Sequence, residues 1–139
     1  SGLPALDSCK LKQMANIFVV DDDALLSDIY QKKLTDGGHK AEVVADRDVV
    51  ATLKNKKPDL ILLDILMPVN GLDILREIKG DPETSQIPVL LLTNVAEEAS
   101  IERGLKYGAD GYLLKSEMTP DQLLERVNAS LEKNAPPTP

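Results

Sequence analysis

The 139-residue sequence has few aromatic residues, one cysteine and no long apolar run. It contains no tryptophan, and aromatic residues make up only 3% of it, so a hydrophobic core must be built from aliphatic side chains. The single cysteine, Cys9, excludes an internal disulfide framework and a cysteine-rich zinc site. No apolar stretch approaches membrane-spanning length, and no charged-then-apolar leader precedes the first apolar segment. We therefore expect a cytoplasmic protein.

Basic residues are outnumbered in this chain. The sequence has 16 lysine and arginine residues and 23 aspartate and glutamate residues, which gives a formal net charge of −7 and a sequence pI near 4.7. Proteins that bind nucleic acids or anionic membranes depend on a basic surface. We therefore expect neither nucleic acid nor membrane among the direct partners of this chain.

Short apolar segments alternate with amphipathic segments along the sequence. The apolar segments lie at about 16–21, 41–45, 60–64, 89–93 and 111–115. Near-continuous apolar runs separated by helical patterns are typical of a parallel sheet covered by helices on both faces. The sequence thus predicts an α/β fold, a three-layer (βα)5 sandwich over residues 15–133. We expect residues 1–14 to be a flexible leader and the proline-rich residues 134–139 a disordered tail.

Polar side chains stand where four of these predicted strands end. Asp21 and Asp22 follow the first strand, and Asp64 ends the third. Thr93 ends the fourth strand and Lys115 the fifth. Because ligands of open α/β sheets bind at the carboxyl ends of the strands, we expect these side chains to converge on one pocket.

Three carboxylates in one pocket require a counter-charge. Two of them about 4 Å apart repel by about 4 kcal/mol at an effective dielectric constant near 20. Oxygen ligands of this kind suit Mg²⁺, and Lys115 adds a flexible positive charge. A carboxylate can also act as a nucleophile and form an aspartyl phosphate. We expect Asp64 to be that nucleophile, with Asp21 and Asp22 on the metal side.

Four motifs in this order resemble the receiver domain of bacterial response regulators. They are Phe18-Val19-Val20-Asp21-Asp22-Asp23, Leu62-Leu63-Asp64-Ile65-Leu66-Met67-Pro68, Leu92-Thr93 and Gly108-Ala109-Asp110-Gly111-Tyr112-Leu113-Leu114-Lys115. The resemblance implies a doubly wound, flavodoxin-like fold with strand order 2-1-3-4-5. It also implies that a sensor histidine kinase or a histidine phosphotransfer protein passes a phosphoryl group to Asp64.

The same resemblance implies roles for individual residues. Asp22, Asp64 and the backbone carbonyl of Leu66 would bind Mg²⁺ directly, with Asp21 assisting. Thr93 and Lys115 would bind the phosphoryl group.

Tyr112 matches the aromatic residue that turns inward as Thr93 moves. By this resemblance it would couple the site to the face formed by the fourth helix, the fifth strand and the fifth helix. An output protein would bind that face, and the chain would be a monomer or a phosphorylation-linked dimer.

These features favour a phosphoacceptor switch that catalyses only its own phosphorylation and dephosphorylation. Two alternatives remain open from the residues. One is a receiver-like scaffold that is not phosphorylated. The other is a Mg²⁺-dependent phosphohydrolase of the haloacid-dehalogenase kind, because Asp21-Asp22-Asp23 offers an Asp-x-Asp pattern after the first strand.

Four further positions carry separate expectations. Asp23 is expected to cap the first helix, and His39 to be a solvent-exposed loop residue. Ser116 stands where the resemblance implies a proline that follows a cis peptide bond. Because a cis bond to serine costs about 2.5–4 kcal/mol, we expect the turn to be either trans or strained. The loop from Met67 to Gly71 is one residue shorter than in the family.

Overall fold

Five parallel strands form one sheet in the computed structural model of the chain, which describes residues 14–45, 48–65, 70–94 and 98–134. The strands are β1 Asn16–Val20, β2 Lys40–Val43, β3 Leu60–Asp64, β4 Val89–Thr93 and β5 Gly111–Leu114. Their spatial order is β2-β1-β3-β4-β5, and all four neighbouring pairs are parallel. The predicted strand order 2-1-3-4-5 is confirmed.

A helix follows each strand. The helices are α1 Ala24–Asp36, α2 Val49–Asn55, α3 Gly71–Gly80, α4 Glu98–Lys106 and α5 Pro120–Asn134, and a short 3-10 helix spans Lys115–Glu117. The side chain of Asp23 accepts a hydrogen bond from the Leu26 amide at 3.1 Å and caps α1, as predicted. Strict alternation of strand and helix confirms the (βα)5 architecture.

Each face of the sheet carries its own apolar layer. Successive side chains of a strand point to opposite faces, so both faces of the central strands β1, β3 and β4 are buried. One layer joins the sheet to α2 and α3 and contains Phe18, Ile61, Leu63, Leu53 and Leu75. The other joins it to α1 and α5 and contains Val19, Leu62, Tyr30, Leu34 and Leu123. The result is the predicted three-layer sandwich.

The limits of the domain stay a prediction. The expected leader, residues 1–14, lies outside the described residues except for Met14. The expected tail, residues 134–139, lies outside them except for Asn134. Within the described ranges, every helix is too short or too polar to span a membrane.

His39 is buried, so the prediction of a solvent-exposed residue was wrong. The residue is only 4% exposed, because its ring lies between the start of β1 and α5. Nδ1 accepts a hydrogen bond from the Ala15 amide at 3.1 Å, so Nε2 carries the hydrogen and donates it to Asn128 Oδ1 at 2.7 Å. His39 therefore ties the first strand to the last helix.

Candidate functional site

The strand register brings the predicted polar residues to one edge of the sheet. Val20 of β1 is opposite Leu63 of β3, so Asp21 and Asp64 both stand one residue further along. Asp64 in turn is opposite Leu92 of β4, one residue before Thr93. Parallel pairing thus collects these side chains at the carboxyl ends of the strands, where the sequence placed them.

The three aspartates form one cluster. One carboxylate oxygen each from Asp21, Asp22 and Asp64 lies within 4.8 Å of the others. Asp21 and Asp64 are buried, with 7% and 3% of their surface exposed, whereas Asp22 is open to solvent. Oδ1 of Asp21 accepts a hydrogen bond from the Asp23 amide at 2.9 Å, which fixes the plane of that carboxylate.

Lys115 lies between two of these carboxylates. Its Nζ is 2.5 Å from Asp21 Oδ2 and donates a hydrogen bond to Asp64 Oδ2 at 3.0 Å. Burial acts to lower the pKa of Lys115, but its close contacts with both carboxylates and their negative charges outweigh burial and raise the pKa above its ordinary value. The ammonium group is therefore charged at neutral pH and offsets part of the repulsion between Asp21 and Asp64.

The cluster fits a hard divalent cation. Among the described residues, Asp21 Oδ2 is the buried side-chain oxygen that lacks a well-directed hydrogen bond. Its close contact is the ion pair with Lys115. Carboxylate oxygens with an open, solvent-facing side suit Mg²⁺, which keeps several water ligands. Asp22 supplies that solvent-facing side. Leu66, whose carbonyl was predicted to be a further ligand, lies outside the described residues.

Thr93 ends β4, one residue beyond the partner of Asp64, and is buried with 3% of its surface exposed. The next residue, Asn94, accepts a hydrogen bond at its carbonyl from Ser116 Oγ at 3.3 Å. This bond joins the loop after β4 to the short 3-10 helix after β5, which begins at Lys115. No cis peptide bond occurs among the described residues, so the turn at Ser116 is trans, one of the two predicted outcomes.

The start of α3 packs directly against the end of β3. The Gly71 amide donates to the Ile65 carbonyl at 3.0 Å, and Asn70 caps the helix by accepting from the Leu72 amide at 2.9 Å. A Cβ atom on Gly71 would lie 2.1 Å from the backbone oxygen of Asp64. Glycine is required here because α3 approaches the backbone of Asp64. The shortened part of this loop, residues 66–69, lies outside the described residues.

Tyr112 faces a groove rather than the carboxylate cluster. The residue is 39% exposed on β5 and lines a groove of about 730 Å³ together with Leu105 of α4 and Met118 and Arg126 on the α5 side. The face predicted for an output partner is thus a concave surface built from α4, β5 and α5. The switching role of Tyr112 stays a prediction.

Two buried residues of α1 beside the site were not predicted to belong to it. Ser27 is 1% exposed, and its hydroxyl donates to the backbone carbonyl of Asp21 at 3.1 Å. Tyr30 is 3% exposed; burial raises its pKa, and the charges of Lys115 and Asp21 also act on it. A signal existed in the sequence, since Ser27 is a polar residue on the helical stripe that continues with Tyr30 and Leu34.

Known proteins resemble this chain over most of its length. Residues 17–128 match the family described as response regulator receiver domain. The DNA-binding response regulator MtrA of Mycolicibacterium paratuberculosis is 35% identical over 120 residues, which are 85% of this chain and 52% of that protein. The chain therefore spans about half the length of the curated relatives it matches.

Solved structures share the fold. A putative response regulator from Chloroflexus aurantiacus has a TM-score of 0.80 at 25% identity, covering 86% of this chain and 98% of that one. The Mn²⁺-bound form of response regulator Rcp1 has a TM-score of 0.74 at 28% identity, covering 89% of this chain and 99% of that one.

Proposed function

The chain belongs to the response regulator receiver domain family, and from this premise we propose that Asp64 accepts a phosphoryl group from a phosphohistidine. The chain is thus a module of two-component signalling, and Asp64 is its switch residue. A sensor histidine kinase or a histidine phosphotransfer protein is the donor. We propose that the receiver domain spans residues 15–133.

One observation carries the assignment of Asp64: its buried carboxylate accepts a hydrogen bond from the buried ammonium group of Lys115 at 3.0 Å. In the transfer, an oxygen of Asp64 attacks phosphorus, an O–P bond forms, and the N–P bond to histidine breaks. Lys115 neutralises negative charge on the transferred group, and the Thr93 hydroxyl donates a hydrogen bond to it. The reaction is therefore mainly positioning and charge stabilisation, as in other phosphoryl transfers.

A divalent cation completes the site. When bound, Mg²⁺ neutralises oxygens of the transferred phosphoryl group. Asp22, Asp64 and the backbone carbonyl of Leu66 would hold it directly, with Asp21 assisting. The spacing of the three carboxylates, within 4.8 Å of one another, supports this assignment. The solved Mn²⁺-bound form of Rcp1 supports a divalent cation in a domain of this kind.

An output partner binds at the groove lined by Tyr112. Movement of Thr93 towards the phosphoryl group would let Tyr112 turn inward and reshape the face of α4, β5 and α5. An output protein or a second copy of the chain would read that change. We do not expect this chain to contact nucleic acid directly, since its formal net charge is −7. The module acts as a switch and not as a turnover enzyme.

Intact mass after incubation with acetyl phosphate tests the proposal. We expect wild-type protein to gain one phosphoryl group in Mg²⁺ and none in EDTA, and Asp64→Asn to gain none. Asp59→Asn is the matched control, because Asp59 precedes the other end of β3 and its Oδ2 accepts from the Asn16 amide, a bond that an amide oxygen can keep.

The same experiment separates the alternatives. An unmodified wild-type chain would refute the switch and favour a receiver-like scaffold. Continued consumption of acetyl phosphate without a stable adduct would favour a phosphohydrolase. A gain of mass in Asp64→Asn would place the acceptor on another residue.

A further inference from the structure

Ser27 makes an unusual contact for a serine inside a helix. A serine hydroxyl in a helix commonly bonds back to the carbonyl four residues earlier. That carbonyl, on Asp23, accepts from the amide of Ser27 at 2.9 Å, which is the ordinary helical bond. The hydroxyl instead leaves the helix and donates to the carbonyl of Asp21 at 3.1 Å, six residues earlier. With 1% of its surface exposed, Ser27 makes this contact away from solvent.

Asp21 is consequently held at two points. Ser27 holds its backbone carbonyl, and the Asp23 amide holds Oδ1 at 2.9 Å. Both contacts come from the first turn of α1 and its cap. They leave Oδ2 as the carboxylate atom that no backbone amide of the described residues holds, and Lys115 Nζ lies 2.5 Å from it. A rotation of the Asp21 backbone would therefore move Oδ2 relative to Asp22 and Asp64.

We infer that Ser27 is a positioning residue that orients the Asp21 carboxylate for the divalent cation. The inference rests on the proposed function, because it concerns the same cation site. Hydrogen-bond partners behind a metal ligand typically change metal affinity by about 10- to 100-fold when they are removed. Asp21 assists rather than dominates binding, so we expect Ser27→Ala to weaken Mg²⁺ binding about tenfold, at the lower end of that range.

Thr84 provides a matched control. It is also buried, with 4% exposure, and its hydroxyl also donates to a backbone carbonyl, that of Ile78, at 2.6 Å. It lies after α3 and before β4, at the end of the sheet opposite the carboxylate cluster. Thr84→Val and Ser27→Ala each remove one buried hydroxyl, so both lower stability in urea unfolding. Only Ser27→Ala should raise the Mg²⁺ dissociation constant in isothermal titration calorimetry. Ser27→Thr, which keeps the hydroxyl, should bind Mg²⁺ with the wild-type dissociation constant.

A second readout needs no metal. In EDTA, the Asp23 amide should exchange with deuterium faster in Ser27→Ala than in wild type or Thr84→Val, because the Asp21 carboxylate that accepts from it has been loosened. Equal Mg²⁺ affinity in Ser27→Ala and Thr84→Val would overturn the inference and leave Ser27 a purely structural residue. Unchanged exchange at Asp23 would overturn it as well.

The two proposals can fail separately. If wild type binds no Mg²⁺, the proposed cation site fails, and with it the cation role of Ser27. If wild type binds Mg²⁺ and Ser27→Ala binds it equally well, only the role of Ser27 fails. Should Ser27→Ala not fold, Ser27→Cys replaces it, since a thiol is a weak donor.

Discussion

Replacing Lys115 by methionine should destabilise the metal-free protein strongly. Methionine keeps an unbranched, apolar stem but removes the ammonium group that lies 2.5 Å from Asp21 and 3.0 Å from Asp64. Carboxylate oxygens up to 4.8 Å apart then repel by about 3.5 kcal/mol at an effective dielectric constant near 20. Removing one partner of a buried ion pair typically costs about 3–5 kcal/mol. We expect a loss of about 3 kcal/mol in the free energy of unfolding.

Mg²⁺ should reverse much of this loss. The cation supplies the positive charge that the methionine lacks, and it no longer competes with the ammonium group for Asp21. Lys115→Met should therefore bind Mg²⁺ more tightly than wild type and gain more stability from it. Urea unfolding followed by circular dichroism, in EDTA and in saturating Mg²⁺, measures both effects.

Lys56→Met is the control for loss of a lysine charge. Lys56 forms an ion pair with Glu42 at 3.1 Å, but its side chain is 65% exposed. Exposed pairs contribute about 0–1 kcal/mol, so we expect a small change that does not depend on Mg²⁺. The reasoning would be refuted if Lys115→Met lost no more stability than Lys56→Met, or if Mg²⁺ stabilised both variants equally.

Three further predictions concern residues around the site and the core. Gly71→Ala should lose more than about 2 kcal/mol of stability and slow phosphorylation, because its Cβ would collide with the backbone of Asp64. Gly80→Ala, whose Cβ meets nothing within 4 Å, should instead gain up to about 1 kcal/mol. Thermal unfolding measures both variants, and equal stabilities would contradict this. His39→Leu should lose about 2 kcal/mol in urea unfolding, since the Ala15 amide and Asn128 lose their partner, and an unchanged midpoint would count against it. Burial raises the pKa of Tyr30, so its neutral form stabilises the fold below the unfolded value near pH 10 and that stability is lost as pH rises through the folded pKa. Tyr30→Phe should accordingly flatten the decline in unfolding free energy as the pH rises above about 10, and a parallel decline in both proteins would refute the assignment.

The sequence alone predicted the architecture and the convergence of the polar strand-end side chains on one edge of the sheet. Apolar runs that alternate with helical patterns report local burial, and burial of both faces of a strand identifies a parallel sheet. Asp21, Asp64, Thr93 and Lys115 each follow or end such a run, so parallel pairing alone brings them to the same edge. This information is local, because it depends only on the position of each residue within its own strand.

The tertiary structure decided how the site is held together. Sequence position does not reveal that Lys115 bridges Asp21 and Asp64, because that contact depends on the register of four strands. It does not reveal the burial of His39 either, since its partner Asn128 is 89 residues away. The path of the Ser27 hydroxyl to Asp21 likewise depends on how α1 leaves β1. These contacts are set by distances between separate elements, and only the packed fold determines those distances.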